Sequence, residues 1–210
     1  MAACRILLAA VALTGAAAGQ QNISFPTQDG GVVYADAYGN SDRGVVLAHG
    51  GRFNKESWEK QARVLAAARF RVLSIEYRSQ GARHLDVLAA VHYLRKTGSK
   101  SVSVVGASMG GDYGAEAAEA EPAAIDRLVL LASGAYTPLV RMKGRKLFII
   151  ARDDANDDGL RLPKIQAQYA KALEPKELII LDGSAHAQFL FQTDQGERVM
   201  REILRFLSAP

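Results

Sequence analysis

Cysteine is almost absent from this chain: the single one, Cys4, precedes an N-terminal apolar run rather than following it, where a lipid-modified cysteine would stand. Once that segment is removed no disulfide can form, and no thiol is left to act as nucleophile or metal ligand. Long hydrophobic runs are missing as well. The N-terminal stretch Ile6 to Leu13 is too short to serve as a permanent bilayer anchor. Charge of one sign is scarce, with 26 Lys and Arg against 22 Asp and Glu. The net +4 is scattered, and no basic cluster is interleaved with aromatics, which argues against a nucleic-acid partner. Repeats, low-complexity tracts and an interdomain linker are also lacking. With 210 residues, 49% hydrophobic and 23% charged, the composition is that of one globular domain stabilised by its core alone.

The first residues have a composition of their own. Arg5, the apolar run, and then Gly15-Ala16-Ala17-Ala18-Gly19 follow the order of a secretory signal peptide, with cleavage between Ala18 and Gln20. The expected organisation is therefore a leader over residues 1–19 and one domain over 20–210, secreted or periplasmic. The mature chain would carry +3, since the leader removes Arg5 and no acid. No stable membrane insertion is expected after cleavage.

Short apolar runs then alternate with helical patterns. Ile23 to Phe25 and Val32 to Tyr38 flank Asp29-Gly30-Gly31, a hairpin signal. Val45–Ala48, Val72–Ile75, Val102–Val105, Leu128–Leu131, Leu147–Ile150 and Leu178–Leu181 are near-continuous and rich in β-branched residues, as strands buried on both faces require. Between them, Trp58, Ala62, Leu65 and Ala66 share one helical face, as do Val87, Ala90, Val91 and Leu94, and later Val199, Ile203, Leu204 and Leu207. This alternation predicts a doubly wound, mostly parallel α/β sheet with an antiparallel N-terminal hairpin. Residues 132 to 145 are too few for a lid domain, so a site near them should be open.

Gly106-Ala107-Ser108-Met109-Gly110 follows the Val102–Val105 run and opens an Ala-rich helical segment. This is G-x-S-x-G in the strand–turn–helix setting of a nucleophile elbow. The turn strains the serine backbone and leaves its neighbours no room for side chains, while the following helix N-terminus favours developing negative charge. Carboxylates Asp153 and Asp154 come at the end of the Leu147–Ile150 run, and His186 comes after Leu178–Leu181 in Asp182-Gly183-Ser184-Ala185-His186. The chain order Ser, Asp, His suits a hydroxyl nucleophile, a base that takes its proton, and an acid that holds the base's tautomer. His49-Gly50-Gly51 ends the Val45–Ala48 run, where a backbone N–H from Gly51, with another from Met109, can meet an oxyanion. His49 itself reads as a holder of that loop.

Together these segments resemble the α/β-hydrolase superfamily from about Phe25 to the C-terminus. The lidless layout is similar to its small dienelactone-hydrolase-like and esterase-like branches. The resemblance implies the single-domain α/β-hydrolase fold and ester or related acyl chemistry; a small-molecule ester is the expected substrate, and no cofactor or metal is expected. It also implies which acid acts: counting three positions from Ala151 gives Asp154, with Asp153 and Asp157 as alternatives in the same loop. Dienelactone hydrolases typically use a cysteine nucleophile, whereas this chain has Ser108, which favours ordinary esterase chemistry. The turn Tyr77-Arg78-Ser79-Gln80-Gly81 is shorter and less glycine-rich than in many relatives. Peptidase or thioesterase activity, and a non-catalytic binding protein of the same fold, are the competing functions. An intact Ser108, Asp154 and His186 set speaks against the last. Oligomeric state is not legible.

Several other residues have plainer readings. Asp154-Ala155-Asn156-Asp157-Asp158-Gly159 matches the first half of a calcium loop, but its twelfth position is Ile165, which cannot coordinate a cation. The stretch reads as a solvated acidic turn that also carries the acid. Trp58 reads as core, His84 and His92 as surface or packing residues, and Asp112 as a complement to the helix N-terminus. Arg52, Phe53, Tyr77, Tyr136, Phe189 and Phe191 are candidates for the pocket mouth.

Overall fold

The computed structural model describes residues 19–134 and 136–209. The expected leader, Cys4 included, lies outside them except for Gly19. In chain order the strands are β1 (Gln21–Pro26), β2 (Val32–Tyr38), β3 (Arg43–Ala48), β4 (Arg71–Glu76), β5 (Ser101–Ala107), β6 (Arg127–Leu131) and β7 (Arg145–Ala151), the two-residue β8 (Ala155–Asn156) and β9 (Gly159–Leu160), and β10 (Lys176–Leu181). Eight of them form one sheet in the order β1-β2-β4-β3-β5-β6-β7-β10. Within this sheet, among the described residues, only β2 runs against its neighbours, pairing antiparallel with β1 and with β4; its other pairings are parallel.

Among the described residues five α-helices cover this sheet: α1 (Glu59–Ala67), α2 (Arg83–Lys96), α3 (Met109–Ala120), α4 (Leu162–Lys171) and α5 (Gly196–Ser208). The chain moves from β3 to β4 in one direction and from β4 past β3 to β5 in the other. Right-handed crossovers then put α1 on one face and α2 and α3 together on the other. The reversal opens a crevice between the carboxyl ends of β3 and β5, where ligands bind in open sheets of this kind. Ala48 and Gly106 are register partners there, so His49-Gly50-Gly51 and the Ser108 turn leave the sheet side by side.

Runs expected to be buried on both faces are so in the middle of the sheet. Val45, Val46, Leu47, Val104, Leu128, Val129, Leu147, Phe148 and Ile150 are all essentially inaccessible. Each such side chain contributes about 1.5–3 kcal/mol of hydrophobic stabilisation. The expectation fails for Leu178–Leu181: β10 is the outer strand, so Leu178, Ile179 and Ile180 are only half-buried and Leu181 alone is enclosed. Trp58 is buried as expected but sits in a 3-10 turn, Lys55–Trp58, just ahead of α1. The acidic stretch after β7 is a tight hairpin, β8 with β9. It leaves Asp157 and Asp158 exposed but encloses Asp154, so the reading of a solvated turn holds for two of its acids and not for the third. Helix α4 follows this hairpin; Pro163 at its start fixes a helical backbone at no cost in hydrogen bonds.

At the amino end of the parallel strands, four of their first residues are cations that donate to the carbonyl closing a helix. Arg43 meets Ala68 O after α1 at 2.8 Å, Arg71 meets Thr97 O after α2 at 2.8 Å, Arg127 meets Ala209 O after α5 at 2.6 Å, and Lys176 meets Ala172 O after α4 at 2.8 Å. Unpaired carbonyls and the negative end of the helix dipole are answered together.

Candidate active site

Ser108 is the residue between β5 and α3, at φ 49° and ψ −118°. Such a backbone costs roughly 1–3 kcal/mol and persists only where its surroundings dictate it. Here the surroundings are two glycines. A Cβ on Gly106 would lie 2.4 Å from Gly110 O, and one on Gly110 would lie 2.2 Å from Ala48 O and 2.6 Å from His49 O. The elbow therefore rests against the end of β3 without a side chain between them. Its ladder continues through Ser108 N to Leu131 O at 2.8 Å, fixing it to β6 as well.

His186 lies in the loop after β10, half-buried, between the other two residues. Its Nε2 is 2.8 Å from Ser108 Oγ and its Nδ1 is 2.7 Å from Asp154 Oδ2. With Nδ1–H donating to the carboxylate, Nε2 is left to accept the serine proton. Asp154 is 1% exposed while Asp153 is exposed, so of the neighbouring acids only Asp154 reaches the imidazole. Its other oxygen faces Arg161 Nε at 3.4 Å, and Arg161 N donates to Asp154 O at 2.9 Å. The acid thus meets a cation that follows the small hairpin. Arg161 carries no signal in the sequence, because the hairpin that brings it back is only two residues long on each side.

The loop after β3 is tied down at several points. His49 Nδ1 is 2.9 Å from Gly50 O, which also accepts from Phe53 N at 3.0 Å; His49 Nε2 is 3.3 Å from Glu76 Oε1. Glu76 accepts Lys55 N at 3.0 Å, and Lys55 Nζ is paired with the buried Asp36 at 2.8 Å. Tyr77 stacks at a tilt on His49, ring centres 4.6 Å apart, and burial holds its phenol well above the usual range, as a neutral donor. Gly51 sits against the thioether of Met109, which a Cβ there would meet at 3.6 Å. Among the described residues no acceptor is paired with the Gly51 or Met109 N–H. The structure therefore brings together Ser108, Asp154, His186, Gly51 and Met109.

The remaining candidates separate. Phe53 and Phe189 pack together beside the site, ring centres 4.9 Å apart, with Arg52 over Phe189. Phe191 packs on Trp58 in the core and Tyr136 stands in solvent. His84 and His92 pair with Glu116 and Glu121 on α3 or just beyond it, and Asp112 accepts Gly134 N at 2.7 Å, bracing the loop after β6. The short turn after β4 is held by charge: Arg78 donates to Asp86 on α2 and to Asp29 in the hairpin turn. The bonds from Arg78, with one from the Thr27 hydroxyl at 2.6 Å, bring the Asp29 carboxyl down to about 2.

A family model described as the alpha/beta hydrolase family matches residues 45–155, more than half of the chain. The chain belongs to the alpha/beta hydrolase family. Among solved structures, this alpha/beta hydrolase is similar to an esterase from Pyrococcus furiosus, at 18% identity and TM-score 0.75, covering 90% of this chain and 91% of the other. It is similar to a dienelactone hydrolase from Anabaena variabilis at 19% identity and TM-score 0.75, covering 90% and 96%. An esterase from Rhodococcus sp. matches at 15% identity and TM-score 0.72, covering 90% and 98%. No curated protein matches it. At these identities the shared property is the fold.

Proposed function

We propose that this alpha/beta hydrolase cleaves carboxylic esters through an acyl-Ser108 intermediate. One observation carries the reading: His186 bridges Ser108 Oγ at 2.8 Å and Asp154 Oδ2 at 2.7 Å, which is the arrangement a hydroxyl nucleophile needs to lose its proton. Ser108 Oγ attacks the ester carbonyl as its proton passes to His186 Nε2. The oxyanion is met by the Gly51 and Met109 N–H groups, and Asp154 stabilises the imidazolium. Collapse expels the alcohol, which takes the proton back from Nε2. Water, deprotonated by His186, then releases the acid and restores Ser108. Esterases among the structures of this fold support an ester over an amide or thioester.

The leader expected over residues 1–19 makes the mature enzyme secreted or periplasmic in this proposal, checked by N-terminal sequencing of the exported protein. The chemistry is tested by labelling with a fluorophosphonate and mapping the modified peptide. Modification confined to Ser108, and lost in His186→Ala, is the expected result; a well-folded protein that takes no label overturns the reading.

A further inference from the structure

Gln188 is enclosed, 4% exposed, two residues beyond His186, and nothing in the acyl-transfer chemistry uses it. Its amide nonetheless reaches across the site. Oε1 accepts Gly50 N–H at 2.8 Å, and Nε2 donates to Ser57 Oγ at 3.0 Å, so one side chain holds both limbs of the loop that follows β3. The residue between it and His186, Ala187, is at φ +50°, in the left-handed region that costs a residue with a Cβ roughly 1 kcal/mol. That turn allows the imidazole to meet Ser108 while the next amide but one meets Gly50.

The consequence follows from peptide planarity. The unit joining His49 and Gly50 is held through its N–H by Gln188, while its carbonyl accepts the Tyr77 hydroxyl at 3.4 Å and lies where a side chain on Gly110 would collide with it. The next unit is held through Gly50 O by His49 Nδ1 and Phe53 N. In a trans peptide the N–H points opposite to the C=O. With Gly50 O turned towards the loop interior, Gly51 N–H is therefore aimed out of it.

On the hydrolase reading above, we propose that Gln188 is a positioning residue: it aims the Gly51 N–H at the oxyanion and ties that donor to the loop carrying the base. Donor and base are then presented as one unit, although they lie 135 residues apart in the chain (51 to 186). The hydrogen bonds of Gln188 go to Gly50 and Ser57 and not to the imidazole or Asp154, so it governs charge stabilisation in the transition state rather than proton transfer.

The test is Gln188→Met, of similar length without donor or acceptor, assayed on p-nitrophenyl acetate. The expected result is a kcat lowered about 10- to 100-fold, short of the 10²–10³ lost with a whole oxyanion donor. KM should stay within about threefold and the pH limb of the base should not move, since uniform binding and the base are untouched. A trifluoromethyl ketone, which forms an oxyanion on Ser108, should weaken by the same factor as kcat/KM. Gln188→Asn keeps the amide but falls one methylene short of Gly50, and carries the same expectation should the methionine variant not fold. An active wild type with either folded variant within threefold of it in kcat overturns this inference alone. A wild type that neither hydrolyses the ester nor labels at Ser108 overturns the hydrolase reading and this inference with it.

Discussion

Gly110→Ala isolates the steric contact on which the elbow depends. The added methyl would lie 2.2 Å from Ala48 O and 2.6 Å from His49 O, both backbone atoms at the end of a central strand. A carbon needs about 3.2 Å from a carbonyl oxygen, so the first turn of α3 must retreat by about 1 Å or β3 must give way. Moving a nucleophile by that amount costs about 10²-fold, or about 2.7 kcal/mol of activation free energy. Overpacking adds about 1–3 kcal/mol to the folding cost, partly offset by up to about 1 kcal/mol from replacing glycine in a helix. At about 2–4 °C per kcal/mol for a domain of this size, Tm should fall by a few degrees. Gly114→Ala, one turn later in α3, is the reference: its methyl would meet Leu128 Cδ1 at 3.1 Å and Val104 Cγ1 at 3.3 Å, ends of side chains that can yield. The assay is kcat/KM for p-nitrophenyl acetate together with thermal melts of both variants. Gly110→Ala with kcat/KM within threefold of wild type, and a Tm no lower than that of Gly114→Ala, would refute the argument.

Other expectations concern charge. Asp154→Asn should lower kcat about 10³- to 10⁴-fold by favouring the wrong imidazole tautomer, whereas Asp153→Asn should stay within about threefold; equal losses would unseat Asp154 as the acid. Arg161→Met removes the cation 3.4 Å from the enclosed Asp154 Oδ1 and should lower stability by about 1–3 kcal/mol in urea unfolding, with a smaller activity loss than Asp154→Asn. An unchanged unfolding midpoint would show that the ion pair contributes nothing. Arg78 holds the Asp29 carboxyl at about 2, below its unfolded value, so its contribution is present above about pH 4 and is lost as pH falls towards 2. The Tm gap between wild type and Asp29→Asn should therefore be open at pH 6 and close by pH 2; a constant gap argues against the pairing.

What the sequence disclosed and what it withheld follow a physical division. Buried parallel strands announce themselves because both faces must be apolar, which is why Val45–Ala48 and Leu147–Ile150 were legible. Gly106 and Gly110 were legible because no other residue fits where two backbones touch. Edge exposure at β10 was not, since Leu178 to Ile180 look the same on an outer strand as on an inner one. Single side-chain contacts leave no period: Arg161 reaches Asp154 only after a hairpin, and Gln188 reaches Gly50 across 138 residues. Ala187 hides its left-handed backbone because alanine does not advertise it, as glycine would have done. The proposed acid was narrowed to Asp154 by family resemblance; in the fold its burial and its 2.7 Å bond to His186 Nδ1 separate it from the exposed Asp153.

The four cations that close helix ends at the amino edge of the sheet have a counterpart at the carboxyl edge, where contacts are steric and backbone-to-backbone. At the amino edge each bond runs from the tip of a long side chain to a helix carbonyl, so a small local change there can be absorbed by rotation of that side chain. The Ser108 end does not admit one extra methyl. The molecule therefore has a forgiving end and an exacting one, and fusions or surface redesign belong at the former, where the C-terminal helix also finishes.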